Sequence, residues 1–325
     1  MGTDAFKNLS AYRTELMGYA ILGVFVCHFV LRTDVHSIML STIPRLVYTQ
    51  GFLFLSGFGL YYSYTKNNDT VHFYIKRIKR LYIPFLLMSF PFFLTVIICK
   101  EEGIWDLIGY MSTFTFWLKG NYFGMWYVSV SLVMYMFFPL MYRWMFKRAV
   151  GVELRSLLVV LLLVMAFFFI KKEYPNYFND TGQWAKKAVM FPIGMFCGYV
   201  SQSEKYYNWK SPRIIIPLLF MAFVLTKMFF GFFYEYARSL FGLFTFPPIF
   251  IYFSKSSRSS WILSVLRWLG KYSLELYILH VLSFKTIDAI YGKCNSVEML
   301  MTIAFALLLC LPVHRSVEWI INRTN

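Results

Sequence analysis

Apolar runs of 15 to 25 residues, parted by short polar and basic segments, recur along the whole chain. A helix needs about 20 mostly apolar residues to cross a bilayer. Ten stretches approach that length: 15–32, 42–64, 81–99, 122–142, 156–170, 186–201, 213–231, 237–254, 261–283 and 296–320. Segment 104–118 is too short and polar to span, so it is expected to lie in the interface or re-enter. Aromatics such as Trp117 and Tyr122 gather at the ends of the runs, as interfacial belts do. The pattern predicts an all-α polytopic bundle of about ten transmembrane helices. It forms one transmembrane domain over residues 1–325, with no soluble domain attached.

Composition agrees. Hydrophobic residues make up 58% of the chain and charged residues 15%, against about 25% charged in a soluble domain. A net charge of +16 would suit nucleic acid in a soluble protein. In this one it points to basic loops facing anionic lipid. Placing the amino terminus inside gives the inner loops the larger share of Lys and Arg, five of them at Lys66, Lys76, Arg77, Lys79 and Arg80. Both termini are then cytoplasmic, and the polar loop 171–185 faces outside. The five cysteines are scattered with no CxxC pair, so neither a zinc site nor a redox motif is expected, and no metal.

Ionisable side chains inside spans are costly and are kept for a function or a partner. His28 ends AILGVFVCH in the first span and His280 ends SLELYILH in the ninth. Both spans run from inside to outside, so the two imidazoles lie at matching depth. They suit proton transfer from a hydroxyl, or an acyl carrier, as well as plain packing. Arg13 lies 15 residues before His28, about 22 Å along a helix and about 60° around it. It is either part of the same functional face or a positive-inside anchor. The run HFYIKRIKRLYIP puts Arg77 and Arg80 on one face, and Lys76 beside Arg80. Paired guanidinium groups match phosphates, although a topogenic loop needs no more. In the ninth span Lys271 and Glu275 are spaced to neutralise one another, while Ser273, Tyr277 and His280 form a second stripe that can line a cavity. Ser56, beside Gly57 and Gly59, and Tyr127 complete the polar candidates.

Taken in order, these segments resemble the acyltransferase-3 family of membrane O-acyltransferases of bacterial type. LMGYAILGVFVCH is similar to the family's LRxxAxLxVxxxH opening, and FLFLSGF to FFxLSGF. FYIKRIKRLYIP resembles RxxRxxP, MWYVSVSLVMYMFFP resembles LWYLxxLLxxYLxxP, FPIGMFCGY resembles FxxGxxxG, and LGKYSLELYILH resembles LGxxSxxIYLxH. The resemblance implies about ten spans in a bacterial cytoplasmic membrane. It also implies a cytosolic acyl-CoA donor, usually acetyl-CoA, and a hydroxyl acceptor on a cell-surface glycan or glycolipid. His28 matches the histidine taken as catalytic, His280 the histidine after YIL, and Arg77 and Arg80 the pair linked to the donor. Met17 stands where the family carries an arginine, and Arg13, one turn earlier, is the available substitute.

The function expected is therefore O-acyl transfer, with His28 and His280 catalytic and Arg77, Arg80, Arg13 and Lys76 on the donor. Ser56, Tyr127, Ser273 and Tyr277 are expected in the cavity. A multi-span transporter or flippase is the alternative. Against it, the two halves of the chain show no repeat of the kind many transporters carry.

Overall fold

The computed structural model describes residues 9–32, 48–120, 125–148, 150–202, 231, 233–234, 236–242, 260–291 and 295–323. Among them every regular element is helical. The elements that place the site are α1 (Arg13–Arg32), α2 (Tyr48–Lys66), α3 (Thr70–Arg77), α4 (Ile83–Lys100), α5 (Ile104–Met111), α6 (Phe114–Lys119), α7 (Trp126–Phe146), α8 (Val152–Glu173), α9 (Met190–Gln202), α10 (Ser260–Lys271), α11 (Ser273–Tyr291) and α12 (Ser296–Arg323). The expected spans 213–231 and 237–254 fall mainly outside the described residues.

Among the described residues, five helical stretches are long and apolar enough to cross a membrane: α1, the run Thr70–Cys99, α7, α8 and α12. Their outward faces are greasy. On α8, Leu157, Leu161, Leu162, Met165 and Phe169 are exposed, and only Val152, Ser156 and Phe167 are buried. A helix that is apolar all round and yet exposed needs lipid as its solvent. Segment 104–118 forms two short helices, α5 and α6, pinned by an ion pair from Lys119 to Asp106 at 3.1 Å.

Two close helix crossings build the centre. A Cβ on Gly57 of α2 would strike the carbonyl of Phe191, and one on Gly194 of α9 would strike that of Phe54. The same exchange joins α1 to α10: Gly18 meets the Leu266 carbonyl, and Gly270 meets the Thr14 carbonyl. Small residues let backbones touch where lipid gives no hydrophobic drive for association.

Three expectations change. The ninth span, 261–283, is not one helix. It breaks at Tyr272 into α10 and α11, just after the point where Gly270 packs on the α1 backbone. The expected Lys271–Glu275 pairing therefore does not form. Glu275 bonds His314 of α12 at 2.6 Å, and Lys271 lies 5.1 Å from the Tyr272 ring. The basic run is also not a loop ahead of the third span, because it lies on the helical stretch Thr70–Cys99.

That stretch starts sharply. Asp69 accepts from the Val71 and His72 amides at 2.9 and 3.3 Å, an N-cap worth about 1 kcal/mol. Arg143 of α7 donates to Thr70 at 3.1 Å, and Tyr74 donates to the Met136 carbonyl at 2.7 Å. Between α3 and α4 the helix widens into a π turn over Ile78–Tyr82, where the Ile83 amide donates to the Ile78 carbonyl. Pro84 lacks the amide that would continue the α pattern, which explains the wider turn. Arg80 sits on that turn.

Candidate active site

One cavity of about 280 Å³ opens among α1, α2, the π turn, α7, α10 and α11. Among the described residues four cations line it, Arg13, Arg77, Arg80 and Lys271, and no carboxylate does. Ser56, Tyr127, Tyr135, Ser273 and Tyr277 add hydroxyls, and Met17 and Phe52 add apolar wall.

Two of the cations have an identifiable support. Arg13 Nε donates to the Leu55 carbonyl at 3.0 Å. Its guanidinium lies where a Cβ on Gly59 would be, with Cζ and Nε both 2.7 Å from that point. Arg77 is half-buried, its guanidinium 5.7 Å from the Phe73 ring centre, and its Nε is buried without a hydrogen-bond partner among the described residues. The nearby acidic side chains are committed elsewhere. Glu15, two residues from Arg13, takes Arg267 at 2.6 Å, and Glu275, two residues from Ser273, takes His314 at 2.6 Å.

Like charges gathered in a partly dry cleft repel one another, and an unpaired buried N–H costs its desolvation. A polyanion removes both penalties at once. The arrangement has the chemistry to receive a phosphate-rich ligand.

The histidines sit at the other end of α1. His28 Nδ1 and His280 Nε2 are 3.2 Å apart, with the rings 21° from parallel. Phe25 and Phe284 stand edge-on to His280, with ring centres 4.9 and 5.3 Å away. His280 is fully buried, whereas His28 is only partly buried as a residue. One turn beyond His28, Arg32 bonds both oxygens of Asp288 at 2.5 and 2.6 Å.

Neither histidine lines the cavity, but the two ends share α11. Tyr277 lines the cavity and lies three residues before His280, about 4.5 Å along the helix. Tyr127 of α7 stands edge-on to Tyr277 at 5.5 Å.

Of the residues singled out from sequence, Arg13, Arg77, Arg80, Ser56, Tyr127, Ser273 and Tyr277 meet in the cavity, and His28 and His280 meet each other. Lys76 does not line the cavity. Met17 and Arg13 face the same cavity, so the guanidinium arrives from one turn earlier on α1.

Two neighbours were not anticipated. Lys187, on the 3₁₀ turn Lys186–Val189, is buried and donates to Tyr48 at 2.8 Å and Thr49 at 3.2 Å. Its ammonium also lies 4.9 Å from the Trp126 ring and 5.2 Å from that of Trp184. Thr302 of α12 lies 3.2 Å from His280 Nδ1. The only sequence signal for Thr302 is one hydroxyl within the apolar run MLMTIAFALLLC.

Apolar helices long enough to span a membrane here surround a cation-lined cavity and a histidine pair. A family model described as "Acyltransferase domain" matches residues 17–315, and the chain belongs to this acyltransferase-3 family of membrane acyltransferases. The chain matches no curated relative and no solved structure.

Proposed function

We propose that the protein moves an acyl group, acetyl in the simplest case, from cytosolic acyl-CoA to a hydroxyl of a cell-surface glycan or glycolipid. One observation carries this reading: among the described residues, four cations without a lining carboxylate lie at one end of α1, and a histidine pair lies at the other. The phosphates of CoA occupy the Arg13, Arg77, Arg80 and Lys271 cluster. The narrow pantetheine arm runs past Tyr127 and Tyr277, and the thioester reaches His28.

His28, the less buried member of the pair, takes the proton of the acceptor hydroxyl. The acceptor oxygen forms a bond to the thioester carbonyl carbon, and the carbonyl electron pair moves to oxygen. Collapse of that adduct breaks the carbon–sulfur bond. CoA leaves as a thiolate and takes the proton that His28 holds. The Tyr127 and Tyr277 hydroxyls are the donors closest to the path for the transient oxyanion. An acyl group carried on His28 would use the same ring nitrogen. It would differ in releasing CoA before any acceptor is present.

Acetyl-CoA does not cross bilayers, so sealed vesicles test donor and orientation together. Inside-out vesicles given radiolabelled acetyl-CoA should place label on envelope glycan, and right-side-out vesicles should not. Detergent-purified protein should bind CoA in a calorimeter. Folded protein that binds no CoA would overturn the donor assignment, and labelling only from the right-side-out face would overturn the orientation.

A further inference from the structure

The Thr302 hydroxyl carries one proton. It lies 2.8 Å from the Met299 carbonyl of its own helix and 3.2 Å from His280 Nδ1. A carbonyl can only accept, so the shorter contact takes that proton. The Thr302 oxygen must then accept from His280, which places a hydrogen on His280 Nδ1. His280 is fully buried between Phe25 and Phe284, and no carboxylate bonds it among the described residues. An imidazolium would be expensive there, so the ring is neutral and its Nε2 is bare. That bare nitrogen is the one 3.2 Å from His28 Nδ1. His28 Nδ1 must therefore donate, and His28 Nε2 is left without a proton and ready to receive one.

Reversing any link reverses the outcome. If His280 carried its hydrogen on Nε2, His28 Nδ1 would have to accept. The His28 proton would then sit on Nε2, and that nitrogen would be useless as a base. The stiff Thr side chain suits the task, because its rotamer is held by the backbone bond it makes.

We infer that Thr302 is a positioning residue for acyl transfer: acting through His280, it fixes the tautomer of His28 that leaves Nε2 free. This rests on His28 as the reacting base and adds the device that readies it. Thr302→Val keeps the shape and removes the acceptor. It should lower kcat by roughly three- to tenfold, the loss of one hydrogen bond, with the KM for acetyl-CoA unchanged. Thr302→Ser should restore the rate. In a His280→Leu background, where the link to α12 is already cut, Thr302→Val should cost nothing more.

A measurement on the unaltered protein needs no variant to fold. Nitrogen NMR on histidine-labelled protein should show hydrogen on Nδ1 of both His28 and His280, with assignment by comparison with His28→Gln and His280→Gln. Hydrogen on Nε2 of His280, or a full rate in folded Thr302→Val while His28→Gln is inactive, overturns the role of Thr302 and spares the base. Full activity in His28→Gln removes the base itself.

Discussion

The two ends of α1 are built on opposite principles. At the Arg13 end, several cations share one cavity, and Arg77 Nε has no partner among the described residues. At the His28 end, the contacts form a single file: His28 to His280, His280 to Thr302, Thr302 to the Met299 carbonyl. A cluster of charges binds by summation, so removing one member weakens the whole by a share. A file of hydrogen bonds has no spare member, and removing one changes what every other group can donate. The first design suits holding a large anion, and the second suits holding one proton in one place. Mutations should therefore separate cleanly, with graded losses in donor affinity at one end and losses in turnover at the other.

The largest expected effect is at His28. Gln offers similar hydrogen bonds but binds no proton near neutral pH. His28→Gln should leave a folded, CoA-binding protein with kcat reduced at least about 100-fold, read from radiolabel transfer on protein intact by gel filtration. Near-normal turnover would erase the contrast between the two ends.

Arg77 and Arg80 come next. Charge-assisted hydrogen bonds are worth about 1.5–3 kcal/mol. Arg77 is half-buried and belongs at the top of that range. Arg80 is exposed and screened by solvent and salt, which puts it at the bottom. Arg77→Ala and Arg80→Ala should weaken CoA binding in that order, with kcat unchanged at saturating donor, and both losses should shrink in high salt. Wild-type affinity in the double variant, measured by calorimetry, would reduce the cluster to a topological signal.

The sequence carried the candidates for this contrast unevenly. His28, His280, Arg13 and the arginine pair stand out because ionisable groups next to or within apolar runs are conspicuous. Spacing on a helix also fixes which of them share a face, and Ser273 and Tyr277 reach the cavity on the stripe their spacing defines. Thr302 was not legible, because a hydroxyl in a helix satisfies itself on its own backbone, and only a partner from another helix gives it a role. Lys187 hid in the same way, its cost covered mainly by Tyr48, Thr49 and Trp126, which lie far away in sequence. The break at Tyr272 was missed because helical spacing assumes one axis. A close backbone contact at Gly270 and the separate partners of Lys271 and Glu275 follow from packing.

The smallest expected effect sharpens the comparison most, because it touches the cavity without removing a charge. Gly59 carries no side chain and does not line the cavity. Its space is filled by the Arg13 guanidinium, so a Cβ there would press on Cζ and Nε, each 2.7 Å away. The guanidinium is the far end of a flexible side chain, so it yields rather than the helix. In yielding it gives up the 3.0 Å bond to the Leu55 carbonyl. A net loss of about 1 kcal/mol is the ordinary worth of such a bond. Gly59→Ala should therefore raise the Kd for CoA by roughly fivefold, leave kcat at saturating donor alone and leave the fold intact. In an Arg13→Ala background the space is empty, and Gly59→Ala should then cost nothing, so the two changes should be non-additive in a double-mutant cycle. Additive losses would mean that Gly59 acts on helix packing and that Arg13 is held by something other than Leu55. A fall in kcat with unchanged affinity would show that the Arg13 end reaches into the chemistry, and the division between the two ends of α1 would fail.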